Sequence, residues 1–144
     1  DVNQYTGYSV RKYHPRAGYS STVGTEALNY KNNYRVIRFS DVLLMASEAL
    51  LRSGGSVGEA QDYYARVVKR AMGDDYKVPA VSLDNIYKER RYEFAMEGIR
   101  YWDLVRTNQA KDFIKGWDDT KKYLPIPQSE IDKSDGHLVQ NPHF

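Results

Sequence analysis

Ile86-Tyr-Lys-Glu-Arg-Arg-Tyr-Glu-Phe-Ala-Met-Glu-Gly-Ile-Arg-Tyr-Trp-Asp-Leu-Val-Arg106 is the densest run of charged and aromatic residues in the chain, and the two kinds are interleaved. At about 100° per residue from Leu83, the residues Ile86, Tyr87 and Phe94 share one helical stripe with it. Arg90 falls within about 20° of the stripe centre, Glu97 within about 40°, and Glu93 on the border at about 80°. A charge on an apolar stripe loses its hydration and needs a partner. Arg90 and Glu93 stand at i, i+3, and Glu97 lies two turns from Arg90 on the same face. The pattern predicts a helix over 84–97 ended by Gly98 in a left-handed conformation. A short helix near 100–107 follows, with Arg100, Asp103 and Arg106 among its apolar residues. Glu89, Arg90, Glu93, Glu97, Arg100, Asp103 and Arg106 are therefore read as a structural ion network joining two helices. The competing reading is an active site, but no His, Cys or metal-ligand spacing accompanies these carboxylates. No catalytic residue, metal ligand or cofactor is assigned.

Upstream of this stretch, Ser40 to Arg52 predicts a helix that is apolar almost all round. Leu43, Ala46, Ser47 and Leu50 form its stripe, and Val42, Leu44, Met45, Ala49 and Leu51 widen it. Asp41, Glu48 and Arg52 hold the polar strip, with Glu48 and Arg52 at i, i+4. Gly54-Gly55 breaks the helix, and Ser56-Val-Gly-Glu59 is a capping box for the next, over 57–72. That helix sets Ala60, Tyr63, Tyr64, Val67 and Ala71 against Asp62, Arg66, Lys69 and Arg70. The pair resembles a single tetratricopeptide unit. Gly73 to Pro79 is a linker, and Ser82 with Asp84 caps the organising helix.

The flanks are less regular. Residues 1–33 read as an irregular lead-in, with Tyr8 to Tyr13 a short extended segment stopped by His14-Pro15. No histidine or carboxylate stands at ligand spacing from His14, which reads as a surface or turn histidine. Trp117, between Gly116 and Asp118-Asp119, reads as partly exposed. It either packs on another segment or stacks on a sugar ring, and it is the one candidate ligand-binding residue. Pro125-Ile-Pro127 forces an extended path.

Composition narrows the function. The 144 residues suit one domain over 1–144, with 34–144 as helical and loop core. A net charge of +2, from 21 basic and 19 acidic residues, argues against nucleic acid as partner. The absence of cysteine removes disulfide, thiol and zinc–thiolate chemistry. Thirteen tyrosines supply apolar area with polar tips, suited to interfaces and sugars. No apolar run is long enough to span a membrane.

Glu89 to Arg106, read as E-R-R-x-E-x-x-x-E-G-x-R-x-x-D-L-x-R, resembles the C-terminal signature of the SusD/RagB family. Two flanking blocks match in the family's order. Ile37-Arg-Phe-Ser-Asp-Val-Leu-Leu-Met-Ala-Ser-Glu-Ala-Leu50 resembles its R-x-x-D-V-x-L-M-x-A-E-A-L helix. Tyr123-Leu-Pro-Ile-Pro-Gln-Ser-Glu-Ile131 and Gln140-Asn-Pro-His-Phe144 resemble its Y-L-x-P-I-P-x-x-E and terminal Q-N-P-G-Y. The resemblance implies a mainly α, SusD-like C-terminal region: a helical hairpin, a further helix-turn-helix and long irregular segments. It further implies a non-catalytic glycan or nutrient receptor at the surface of a Bacteroidetes outer membrane. Such a protein is lipid-anchored through an N-terminus absent here and delivers oligosaccharide to a TonB-dependent, SusC-like transporter. Family members are several times longer, so the chain is expected to be a C-terminal portion and mainly scaffold. One departure is local: Ala65 and Val68 stand where the family often has Asn and Arg.

Two other function classes compete. A tetratricopeptide-like protein-binding adaptor would account for the hairpin but not for the Pro-Ile-Pro and Gln-Asn-Pro blocks. A carboxylate-based glycosidase would draw on Glu89, Glu93, Glu97 and Asp103. Four nearby arginines are expected to lower the pKa values of those carboxyls and make them poor general acids. The apolar helix over 40–52 predicts self-association into a homo-oligomer.

Overall fold

A computed structural model describes residues 7, 8, 10–14, 18 and 31–144. The described residues form helices and no strand, so the chain is mainly α, as the periodicities require. The helices are α1 (Phe39–Ser53), α2 (Val57–Met72), α3 (Leu83–Glu93), α4 (Arg100–Arg106), α5 (Ala110–Phe113) and α6 (Gln128–Lys133), with a 3₁₀ turn at Asp119–Lys122. The chain divides into two compact units, Asp1–Gly98 and Ile99–Phe144. Most of the irregular lead-in lies outside the described residues. Within it, Tyr13 stacks on Tyr34 with ring centroids 5.7 Å apart.

In the first unit α1 and α2 form an antiparallel hairpin, and α3 packs against α1. The hairpin turns where Gly54 takes a left-handed φ of 71° and Gly55 N–H donates to Leu50 O at 2.8 Å. Ser56 caps α2 by accepting from Glu59 N, and Ser82 caps α3 by accepting from Asn85 N. Leu44, Ala60, Tyr64, Val67, Ile86 and Phe94 make the core. The fully buried Ser47 hydroxyl donates to Ala60 O at 2.7 Å, tying α1 to the backbone of α2. The all-round apolar character of α1 is only partly used. Leu43, Leu44, Ser47 and Glu48 are buried, whereas Val42, Met45 and Ala49 face solvent.

Two helix ends differ from expectation. α1 begins at Phe39 rather than Ser40, because Arg38 occupies the cap position and its carbonyl accepts from Asp41 N and Val42 N. α3 stops at Glu93, four residues short of Glu97. The reason is competition for one carbonyl. A continuing helix would pair Glu93 O with Glu97 N. Instead Glu93 O accepts from the side chains of Lys12 and Arg38, and Glu97 N donates to Phe94 O. Met96 then takes a left-handed φ of 67°, and Gly98 one of 80°.

The second unit is held by α4, α5 and a pinned tail. Leu104 and Ala110 are its buried apolar residues. Pro125 and Pro127 have no N–H, so Ile126 carries the only backbone donor of that triplet. The Gln140 side chain satisfies both of its polar groups, accepting from Ile126 N at 2.8 Å and donating to Ile126 O at 2.9 Å. Asn141 Nδ2 donates to Leu124 O at 2.6 Å. The Gln-Asn-Pro block therefore fixes the Pro-Ile-Pro block.

Candidate functional site

The richest cluster of charge lies in the first unit, where α3 runs out beside the start of α1. Arg38 holds Glu97 in a two-pronged grip, Nε to Oε2 at 2.9 Å and Nη2 to Oε1 at 2.8 Å. The same guanidinium reaches Glu93, with Nη1 to Oε1 at 2.7 Å and Nη2 to the backbone O at 3.0 Å. Arg70 of α2 takes the other Glu93 oxygen at 2.5 Å, and Lys12 meets Glu97 Oε1 at 2.6 Å. Arg90 Nη1 donates to Asp41 Oδ1 at 2.5 Å. The Arg38 and Arg90 guanidiniums both lie over the Phe94 ring, 4.9 and 5.1 Å from its centroid.

The cluster is dry. The Glu93, Glu97 and Arg90 side chains are 5%, 8% and 6% exposed, and that of Arg38 is 23% exposed. Burial by itself would raise the Glu97 pKa, but the hydrogen bonds from Arg38 and Lys12 outweigh it and hold the carboxyl below its ordinary value. Arg38 is the mirror case: burial would lower its pKa, and the bonds to Glu97 and Glu93 leave it raised. The Glu93 and Glu97 carboxylates are acceptors already in use.

Four members of the sequence-read network behave differently. Glu89 was expected to be lowered by neighbouring arginines. Its pKa is instead raised, first by burial and then by the charge of Glu93, with Arg70 opposing. Asp103 and Arg106 belong to the second unit, where they pair with each other within α4 at 2.8 Å. Arg100 there lies over the Phe113 ring, 5.0 Å from its centroid. Trp117 is half-buried: its ring meets the Tyr101 ring edge-on at 6.0 Å, and its Nε1 donates to Asp119 at 3.2 Å. Tyr101 in turn meets Trp102 at 5.1 Å, and Trp102 is exposed. Among the described residues no group of His, Cys, Asp or Glu is arranged to hold a metal ion, and no helix is long and apolar enough to cross a membrane.

Arg38, Asp41, Arg70 and Lys12 are the partners that reading the organising stretch alone missed. A signal existed for two of them. Arg38 and Asp41 stand at i, i+3 at the entrance to α1, a basic–acidic pair complementary to the Arg90 and Glu93 pair. Two of the sequence blocks are thus each other's counter-charges.

The family model described as the SusD family matches residues 2–144. The chain belongs to the SusD family. Among curated SusD-family relatives, SusD-like protein P2 from Formosa agariphila is 25% identical, with the match covering 94% of this chain and 30% of that protein. A SusD-like protein from Bacteroides ovatus is 34% identical over 80 residues, 54% of this chain and 14% of its own length. Among solved structures, surface glycan-binding protein A from Bacteroides thetaiotaomicron is 44% identical with a TM-score of 0.68. That match covers 83% of this chain and 26% of the other. The chain therefore spans less than a third of the length of these SusD-family proteins.

Proposed function

We propose that this chain is part of a non-catalytic glycan receptor. In this reading the receptor sits at the outer-membrane surface and hands oligosaccharide to a TonB-dependent transporter. The observation that carries the reading is the 44% identity to a protein named as surface glycan-binding, over 83% of this chain. The cluster of Arg38, Asp41, Arg90, Glu93 and Glu97 serves as a structural clamp, which closes α3 against the start of α1. Support for a non-catalytic role comes from the carboxylates. A glycosidase needs one carboxyl that holds a proton and a second that is free to attack or activate water. Glu89 is raised, as a general acid would be, but neighbouring Glu93 is engaged by Arg38 and Arg70. In the second unit, Trp117 with Tyr101 and Trp102 offers the aromatic surface on which this portion contacts sugar.

The test is made in cells that produce the protein, with a C-terminal tag. Protease treatment of intact cells is expected to remove the tag, and detergent extracts are expected to yield a TonB-dependent transporter with the protein. Recovery of an intact tag from the cytosolic fraction, with no transporter, would sink the proposal.

A further inference from the structure

The chain contains a single Asp-Gly pair, Asp135–Gly136, and no Asn-Gly pair. The pair follows α6, on the stretch that leads to Gln140 and its bonds to Ile126. Asp135 takes a left-handed φ of 48° and Gly136 one of 81°. Asp is among the few residues other than glycine that tolerate this conformation. Two bonds close the turn around the pair: His137 N donates to Ser134 O at 3.0 Å, and Leu138 N donates to Ser134 Oγ at 3.0 Å. The pair itself is untied and exposed. Among the described residues the Asp135 carboxylate accepts no hydrogen bond and forms no ion pair, and the Gly136 N–H has no acceptor. A Cβ at Gly136 would meet nothing within 4 Å.

A free amide nitrogen next to an unpartnered carboxyl is the arrangement that ring closure needs. Every other aspartate precedes a residue whose side chain crowds the attacking nitrogen. We propose that Asp135–Gly136 is a site of spontaneous covalent modification, where aspartate isomerises to isoaspartate and loosens the tail from the Pro-Ile-Pro segment. The Gly136 nitrogen attacks Asp135 Cγ and forms a new N–C bond. The carboxyl, protonated from solvent, loses its hydroxyl together with the nitrogen's proton as one water. Water then opens the cyclic imide. Opening at Cγ restores aspartate; opening at the main-chain carbonyl carbon leaves the chain running through Cβ and Cγ. The product has its original mass and one more backbone atom. That atom lies inside both rings closed by Ser134, so the bonds to His137 and Leu138 cannot both persist, and Gln140 loses its placement against Ile126. The site is independent of the glycan reading.

The 144-residue chain, labelled for nitrogen resonance, is kept in warm neutral buffer and sampled over time. A second Gly136 amide signal is expected to grow. The peptide that holds it should resist the protease that cuts before aspartate, at this site alone and with no change in mass. In the isomerised population the Ile126 amide exchanges about tenfold faster, through loss of its Gln140 acceptor. Asp135→Asn tolerates the left-handed turn and releases ammonia, a better leaving group, so it reaches the same isoaspartate sooner. The folded chain may be compared with the free peptide spanning residues 133–137. No isoaspartate in the chain over the time in which that peptide converts by half overturns the proposal. So does isomerisation that leaves Ile126 exchange unchanged, or isoaspartate that forms sooner at another aspartate.

Discussion

Replacing Arg38 by Met keeps much of the side chain's bulk and removes its charge and all four of its hydrogen bonds to Glu93 and Glu97. Breaking a buried ion pair by deleting one partner costs about 3–5 kcal/mol, because a buried charge is left unmatched. An exposed pair would cost about 0–1 kcal/mol. The carboxylates are 5% and 8% exposed, which places this cluster in the buried class, but Arg38 itself is 23% exposed. Each carboxylate also keeps a second cation, Arg70 for Glu93 and Lys12 for Glu97. We therefore expect the lower end of the buried range, about 3 kcal/mol. With a urea dependence of about 1–3 kcal/mol per molar, the midpoint should fall by roughly 1–3 M. Lys69→Ala, on the exposed side of α2, should leave it in place. The pH dependence gives an independent check. Glu97 titrates lower in the folded protein than its ordinary 4.5, so its contribution is complete above that value. It is lost as pH falls through the lower folded value, since the unfolded chain takes up the proton first. Arg38→Met should flatten this acid limb. Equal midpoints for Arg38→Met and Lys69→Ala, with unchanged acid limbs, would refute a clamp made of these charges.

Glu89 has the opposite sign. Its folded pKa is raised by burial, so its ionised form at neutral pH opposes folding, and Glu89→Gln should raise the melting temperature at pH 7. That gain should vanish in acid, where the native carboxyl is already protonated. Gln140→Ala removes both bonds to Ile126 and should destabilise the second unit by about 1–3 kcal/mol, read as faster amide exchange at Ile126. Val42→Glu with Met45→Glu, on the exposed face of α1, should reduce any concentration-dependent association seen by sedimentation, with little change in melting temperature.

The sequence makes the helices legible because an apolar stripe is a local property. Ser56 and Ser82 cap α2 and α3 as their spacing requires, and Gly54 ends the hairpin's first arm. The counter-charges are not local. Arg38 is 55 residues from Glu93, and Arg90 is 49 from Asp41. A helical wheel shows that a charge points inward and is silent about which distant charge meets it. The early end of α3 has the same origin, since Lys12 and Arg38 claim the Glu93 carbonyl from 81 and 55 residues away. The raised Glu89 likewise reflects burial in the assembled unit, whereas counting nearby arginines along the chain predicts a lowered one.

The most direct measurement takes the protein purified from the cells that make it. It is titrated with the glycans on which those cells grow, and the glycan is recovered and sized afterwards. The account predicts saturable binding with the glycan returned at its original length. Shortened glycan, with the shortening lost in Glu89→Gln, would contradict it, as would the absence of binding to any of them.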